Sequence, residues 1–271
     1  MGKFYGLIGE KLGHSISPQI HDLVFKELNQ EATYQLFQVK KARLKEVVQG
    51  LKYLGASGVN VTIPYKIDIM ANLDNISAEA KRIGAINTIC FKDEITTGFN
   101  TDYYGFGMLL QKFDIDINQK EIVILGTGGS SKAVIQYILD NGAAKVTLVT
   151  RNVLKTSLNK DCEIIDYEGL SKSSKGNIII NTTPVGMYPN VDISPIEKNI
   201  LGKFEAAVDL IYNPLETLFL KNARESGCKV ANGLYMLVGQ AIASEEIWND
   251  ISIEKKIVDK IYNQLRTKLY E

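Results

Sequence analysis

The chain has 271 residues and no formal net charge, with 45% hydrophobic and 23% charged residues. That length fills one large domain or two ordinary ones with complete cores. The neutral balance excludes a nucleic-acid partner held by basic excess and a charge block aimed at a membrane surface, and no apolar run approaches the ~20 residues that span a bilayer.

Phe4–Gly9 reads as a short buried strand, followed by a polar loop from Glu10 to Ser17. Ser17-Pro18 is a helix start, with serine as N-cap and proline at the first helical position. Tyr34–Val39 is a second strand. Leu44, Val47, Val48, Leu51 and Leu54 keep helical spacing, and Gly55 closes that helix. Gly58–Pro64 alternates as a strand, with Val59, Val61 and Ile63 on one face and Asn60 and Thr62 on the other. A short helix over Lys66–Asn72 and a hairpin of Ala85–Phe91 and Ile95–Phe99 complete this half. The N-terminus lacks the apolar segment and cleavage site of a signal peptide, so the expected location is cytoplasmic. Cys90, Cys162 and Cys228 are scattered and odd in number, and no CxxC or histidine-spaced pair exists, which argues against a disulfide framework or a zinc centre. With only His14 and His21 present, a histidine-built metal mechanism is not expected.

From 121 the rhythm changes. Glu121–Leu125 is a strand, a glycine turn follows, and a helix covers about Ser130–Asn141 with Gly142 just past its end. Lys145–Thr150, Asn177–Ile180, Ala206–Leu210 and Lys229–Ala231 are further β-prone runs. Strands alternating with helical stretches predict a parallel sheet covered by helices. The tail, Tyr235 to Leu269, reads as two helices. The fold class is therefore α/β, with an N-terminal α/β domain over 1–101 and a Rossmann-type dinucleotide domain over 102–232. The tail either stands alone or returns to the first domain.

Gly126-Thr127-Gly128-Gly129-Ser130-Ser131 lies between strand and helix, where glycines let backbone N–H groups approach a pyrophosphate. Ser131 stands where a third glycine is usual, and a small residue keeps close packing. NAD enzymes place a carboxylate at the end of the next strand, against the ribose 2′-hydroxyl. Here that strand ends Thr150-Arg151-Asn152. Arg151 pairs with a 2′-phosphate that a carboxylate would repel, so NADP is the expected cofactor.

Polar residues gather at strand ends of the first half: Ser15, Ser17, Asn60, Thr62, Lys66, Asn87 and Asp102. They suit a small molecule with several hydroxyls and a carboxylate. For any one of the serines, threonines or Asp102 the competing reading is a helix cap. For Lys66 it is a solvated charge. A lysine at a helix N-terminus is disfavoured as a cation by the dipole, which would suit a general base.

Several motifs run in one order along nearly the whole chain: His14-Ser15-Ile16-Ser17-Pro18, Asn60-Val61-Thr62-Ile63-Pro64-Tyr65-Lys66, Gly84-Ala85-Ile86-Asn87-Thr88, Asn100-Thr101-Asp102, Gly126-Thr127-Gly128-Gly129, Asn181-Thr182-Thr183-Pro184-Val185-Gly186-Met187 and Asn232-Gly233-Leu234-Tyr235-Met236-Leu237-Val238-Gly239-Gln240. Through them the sequence resembles the shikimate dehydrogenase family. The resemblance implies reversible NADP-dependent reduction of 3-dehydroshikimate to shikimate, with quinate/shikimate dehydrogenase using NAD or both cofactors as the alternative. It implies that Ser15 and Ser17 hold the substrate carboxylate and that Thr62, Asn87 and Gln240 bind ring hydroxyls, with Tyr212 nearby. Lys66 and Asp102 would be the catalytic pair. Gly126–Ser130 and Thr150–Asn152 would hold NADP, with Leu210 and Gly233 near the nicotinamide. It also returns 233–271 to the substrate domain. A small-molecule substrate is the only partner implied, with the chain a monomer or homodimer. A non-catalytic NADP(H) sensor on the same fold is the competing class, against which Lys66 and Asp102 stand together.

Overall fold

The computed structural model describes residues 2–153, 161–172 and 176–270. Contacts divide the chain into two compact units, Met1–Gly105 with Val238–Glu271, and Phe106–Leu237. The boundaries fall inside two helices, a few residues beyond the domain bounds at 101 and 232 that the sequence suggests.

The first unit runs β1 (Lys3–Gly9), α1 (Ser17–Glu27), β2 (Ala32–Gln38), α2 (Leu44–Tyr53), β3 (Gly58–Val61), β4 (Asn75–Ile76), α3 (Ala78–Ile83), β5 (Thr88–Lys92), β6 (Ile95–Phe99) and the start of α4 (Thr101–Lys112). Its sheet has the order β2-β1-β3-β5-β6-β4. The strands β2, β1 and β3 are parallel, β5 is antiparallel to β3 and β6, and β4 is parallel to β6. Alternate residues of β1 face opposite layers. Tyr5 and Leu7 pack with Phe25 of α1 and Trp248, whereas Ile8 packs with Leu44, Val48 and Leu51 of α2.

Three local expectations change here. Ser17 is the first residue of α1 rather than its cap, and no side chain caps that end. Strand β3 stops at Val61, so Val59 and Val61 enter the α2-side core while Ile63 is 65% exposed. The turn that follows is closed by Tyr65 N–H donating to the Thr62 carbonyl at 3.0 Å. The helix expected over 66–72 is a 3-10 helix over Asp68–Asn72, so no α-helix dipole acts at Lys66. The β5–β6 hairpin turns on Asp93 and Glu94, both at positive φ without glycine.

The second unit takes the rest of α4, then β7 (Glu121–Leu125), α5 (Gly129–Asp140), β8 (Lys145–Val149), β9 (Glu163–Ile165), α6 (Tyr167–Lys172), β10 (Ile178–Asn181), α7 (Lys198–Leu201), β11 (Ala206–Asp209), α8 (Leu218–Glu225) and β12 (Lys229–Ala231). All its strands are parallel, in the order β12-β11-β10-β7-β8-β9. That is the doubly wound Rossmann order, with its switch point between β7 and β10. Val123, Leu125, Ile179 and Ala207 pack under α6, α7 and α8, and the intervening Ile122, Ile124, Ile178 and Ile180 are buried too. Both faces are covered, which is why these strands read as continuous apolar runs. Gly142 takes φ +77 just past α5, as its place in the sequence requires.

The tail forms α9 (Leu234–Asn249) and α10 (Lys255–Tyr270). The C-terminal part of α9 packs on the first sheet: Trp248 Nε1 donates to the Ile89 carbonyl at 2.9 Å, and Tyr5 stacks on the Trp248 ring at 4.7 Å. Among the described residues no helix is long and apolar enough to cross a membrane.

Gly58 is the tightest point of this packing, because a Cβ there would lie 2.1 Å from Trp248 Nε1. Overpacking of this kind costs about 1–3 kcal/mol. Gly58→Ala is expected to lower the urea midpoint and to shift the emission of Trp248, the chain's single tryptophan. An unchanged midpoint and spectrum would show that α9 yields freely.

Candidate active site

In the first unit Lys66 and Asp102 come together. Lys66 Nζ donates to Asp102 Oδ2 at 2.6 Å, with the side chains 13% and 12% exposed. Lys66 is therefore not the solvated surface charge of the competing reading. Its backbone is fixed from both sides. The preceding Tyr65 is buried and its hydroxyl donates to the Val39 carbonyl at 2.7 Å, while Ile86 N–H donates to the Lys66 carbonyl at 2.8 Å. Asp102 is the second residue of α4, near its N-terminus, where a negative charge is favoured.

Asn87 holds the other carboxylate oxygen. Its Oδ1 accepts from Thr101 N–H at 2.7 Å, which leaves Nδ2 to donate to Asp102 Oδ1 at 2.9 Å. The same Oδ1 accepts from the hydroxyls of Thr101 at 3.0 Å and Thr88 at 3.1 Å. Ser244 of α9 joins Thr88 and Thr101 at 3.1 and 3.2 Å and donates to the Gln240 carbonyl at 2.8 Å. Ser15 and Ser17 are half-buried, with Ser15 Oγ donating to Ser17 Oγ at 3.1 Å. Thr62 and Gln240 are half-buried in the same unit.

In the second unit the glycine turn joins β7 to α5. Gly126 has φ +98, and a Cβ there would press on Thr183 Cγ2 at 2.8 Å, so both conformation and neighbours demand glycine. Gly128 and Gly129 differ: a Cβ on either meets nothing within 4 Å. The protein itself does not require them to be glycine. They leave open space at the N-terminus of α5, which no side chain caps. Thr127 and Ser130 are half-buried beside them, and Ser131 is buried with its hydroxyl on the Gly128 carbonyl at 2.6 Å. Thr150 is buried at the end of β8, its Oγ1 accepting from Asn152 N–H at 3.3 Å, and Arg151 and Asn152 are exposed. Gly233 is pinned against Leu210, since a Cβ would fall 2.0 Å from its carbonyl oxygen. Tyr212 is half-buried, and burial raises its phenol above the ordinary value.

The profile of the shikimate dehydrogenase substrate binding domain matches residues 7–89. The NADP(+) shikimate dehydrogenase of Clostridium beijerinckii is 50% identical over 263 residues, covering 96% of this chain and 97% of its own. The chain belongs to the shikimate dehydrogenase family. The crystal structure of a chorismate mutase/shikimate 5-dehydrogenase fusion protein from Clostridium acetobutylicum superposes with TM-score 0.97 at 53% identity, covering 100% of both chains. A shikimate dehydrogenase solved in complex with NADP+ superposes with TM-score 0.87 at 35% identity, covering 97% of this chain and 96% of that one.

The amide of Asn60, one of the polar strand-end residues singled out from the sequence, is hydrogen bonded within the unit. Its Oδ1 accepts from Tyr34 at 2.8 Å, and its Nδ2 donates to Ser244 at 2.9 Å, Thr88 at 3.0 Å and the Asn87 carbonyl at 3.3 Å. Asn60 is buried on β3, and its contact with Ser244 brings it against α9. Sequence reasoning gave no role to Thr88 and Thr101, which lie inside its motifs, and missed Ser244. The signal for Ser244 is a polar pair, Ser244-Glu245, inside an apolar helix.

It also missed Asp209, at the end of β11. Its carboxylate is fully buried; Oδ1 accepts from Asn181 Nδ2 and Ile211 N–H, both at 3.0 Å, and Oδ2 from Thr217 at 2.6 Å. Burial pushes the Asp209 carboxyl up to about 7, against the pull of these donors. A folded-state value above the unfolded one means stability that is complete below about pH 4 and lost as pH rises towards 7. Asp209→Asn keeps the shape without the titration. The stability of the native chain relative to this variant is expected to fall by about 1.4 kcal/mol per pH unit in that window. Parallel denaturation curves across it would overturn the assignment.

Proposed function

We propose that the chain catalyses the reversible NADP-dependent reduction of 3-dehydroshikimate to shikimate, a step towards aromatic amino acids. The observation that carries this is the contact of Lys66 with Asp102 at 2.6 Å, buttressed by Asn87. A paired, largely enclosed amine and carboxylate are the parts needed to move a proton at a secondary alcohol. The polar rim of Ser15, Ser17, Thr62 and Gln240 in the same unit matches a ring that carries a carboxylate and hydroxyls. The first unit is accordingly the substrate unit and the second the cofactor unit.

The second unit fits NADP. The unexplained glycines, the uncapped start of α5 and the absence of a carboxylate among Thr150, Arg151 and Asn152 suit a pyrophosphate and a 2′-phosphate. NADP, when bound, supplies the nicotinamide ring that exchanges hydride with the substrate C3. The chain's residues manage the proton. In oxidation the Lys66 amine takes the proton of the C3 hydroxyl. In reduction its ammonium returns that proton to the oxygen. Asp102 holds the lysine on Oδ2 and is itself held on Oδ1 by Asn87. Ser15 and Ser17 bind the carboxylate, Thr62 and Gln240 the remaining hydroxyls, and Tyr212, Leu210 and Gly233 line the nicotinamide end. The three cysteines are free thiols, which agrees with a cytoplasmic enzyme. It acts as a monomer or homodimer.

Rates with shikimate and quinate, each with NADP and NAD, test the assignment directly. Shikimate with NADP is expected to be the best pair, and faster turnover of quinate, or equal rates with NAD, would refute it. Lys66→Ala should lower kcat by about 10²–10⁴-fold with a smaller change in KM; an effect on KM alone would remove its catalytic role. Arg151→Ala should raise KM for NADP about tenfold and leave KM for NAD unchanged, as expected for loss of one charge-assisted contact. Equal effects on both cofactors would assign Arg151 elsewhere.

A further inference from the structure

Asp209 lies in none of the sequence motifs and takes no part in the proton transfer, yet two lines of contact start from its carboxylate. It faces Asn181 in register at the ends of β11 and β10, and both side chains are fully buried. The Asn181 amide has one possible orientation. Its Oδ1 accepts from Thr183 N–H at 3.0 Å, and an N–H can only donate, so its Nδ2 faces Asp209 Oδ1. The Val185 carbonyl, 3.4 Å from the same Nδ2, demands the same orientation.

The first line leads to the glycine turn. Asn181 Oδ1 also accepts from the Thr183 hydroxyl at 2.7 Å, which fixes that side chain. The Thr183 methyl is the group that lies against Gly126, where an added Cβ would meet it at 2.8 Å. Thr182, between them, donates its N–H at 3.0 Å and its hydroxyl at 2.7 Å to the carbonyl of Leu125, the residue before Gly126. The second line leads to Gly233. The same Asp209 Oδ1 accepts from Ile211 N–H at 3.0 Å, and the Ile211 carbonyl accepts from Gly233 N–H at 3.0 Å. Gly233 in turn lies against the Leu210 carbonyl, where no side chain fits. One oxygen atom thus holds the wall of the glycine turn on one side and the Leu210–Gly233 edge on the other. Oδ2 is anchored separately, by the Thr217 hydroxyl at 2.6 Å.

We propose that Asp209 is a positioning residue for the cofactor, a buried node that fixes the spacing between the glycine turn and the Leu210–Gly233 edge. This rests on the cofactor reading given above, in which the turn takes the pyrophosphate and that edge the nicotinamide. A dinucleotide that touches both must find them at one separation, and displacement of a reacting ring by an ångström is costly. The chain leaves the sheet at Asn181 and at Asp209, so strand pairing no longer holds the segments beyond them. Asp209 replaces that pairing with side-chain bonds. Being fully buried, it acts through the two loops.

The test compares Asp209→Ala, Asp209→Asn and Thr217→Val in the full chain, by calorimetric titration with NADPH and with 2′,5′-ADP and by steady-state kinetics. The second ligand lacks the nicotinamide, so it meets the glycine turn without reaching the other edge. Asp209→Ala is expected to raise Kd for NADPH about five- to tenfold, as for lost buried hydrogen bonds, and to lower kcat by a similar factor. Kd for 2′,5′-ADP and KM for shikimate should stay unchanged. Asp209→Asn keeps an oxygen for Asn181 and Ile211, and its amide can donate to the Thr217 hydroxyl, so it should restore the NADPH affinity. Thr217→Val removes only the contact on Oδ2 and the cap of α8; it should lower the melting temperature and leave Kd for NADPH unchanged. Asn181→Ala severs the first line alone and should weaken NADPH but not 2′,5′-ADP, which carries the test if Asp209→Ala does not fold. A merely structural Asp209 would lower the melting temperature with NADPH affinity unchanged, or weaken NADPH and 2′,5′-ADP alike; either result overturns the positioning role alone. A native chain that binds no NADPH removes the cofactor reading and this role together. One that binds NADPH without oxidising shikimate removes the proposed substrate, and the two binding constants still decide the role of Asp209.

Discussion

The constraint on which the first unit depends is the cost of keeping an ammonium and a carboxylate largely out of water. Desolvating such a pair is expensive unless close contact and further hydrogen bonds compensate. Asp102 meets that condition with a lysine on one oxygen and an asparagine amide on the other. The demand then spreads outward. Asn87 must be satisfied at both ends, which recruits Thr101 and Thr88; these need Ser244, and Ser244 brings α9 onto the sheet. A helix from the end of the chain is thereby built into a site made by its beginning.

The second unit handles a buried charge differently. Asp209 has three donors, and burial still lifts its carboxyl to about 7. Its bonds tie the ends of β10 and β11 to Thr217, the cap of α8, whose hydroxyl accepts from Leu220 N–H. Beside it Gly233 approaches the Leu210 carbonyl more closely than any side chain would permit. Rigid loop ends at the switch point are what a doubly wound sheet offers a bound dinucleotide. A reading based on motifs singles out Asn181 but not its partner, because Asp209 lies 28 residues away and only the fold brings the two together.

Much of this molecule could be read from its residues alone. The parallel sheet of the second unit follows from apolar runs separated by helical spacing, because strands buried on both faces tolerate little else. Gly126 and Gly142 could be placed because both take positive φ, a local backbone demand that glycine meets. Lys66, Asp102 and Asn87 could be named as candidates because each sits at a strand or helix end, where side chains of such folds meet ligands. What local pattern could not supply was the partner of each polar group. The sequence showed Asn60 facing away from Val59 and Val61, but only the packing of α9 revealed that its amide meets Tyr34 and Ser244. Ser17 looked like a cap by type, yet it is the first residue of the helix and its hydroxyl accepts from Ser15. Periodicity and backbone chemistry are short-range and are written in the sequence. Satisfaction of buried donors and acceptors is long-range, since it joins Lys66 to Asp102 and Asn60 to Ser244, and the folded chain alone decides it.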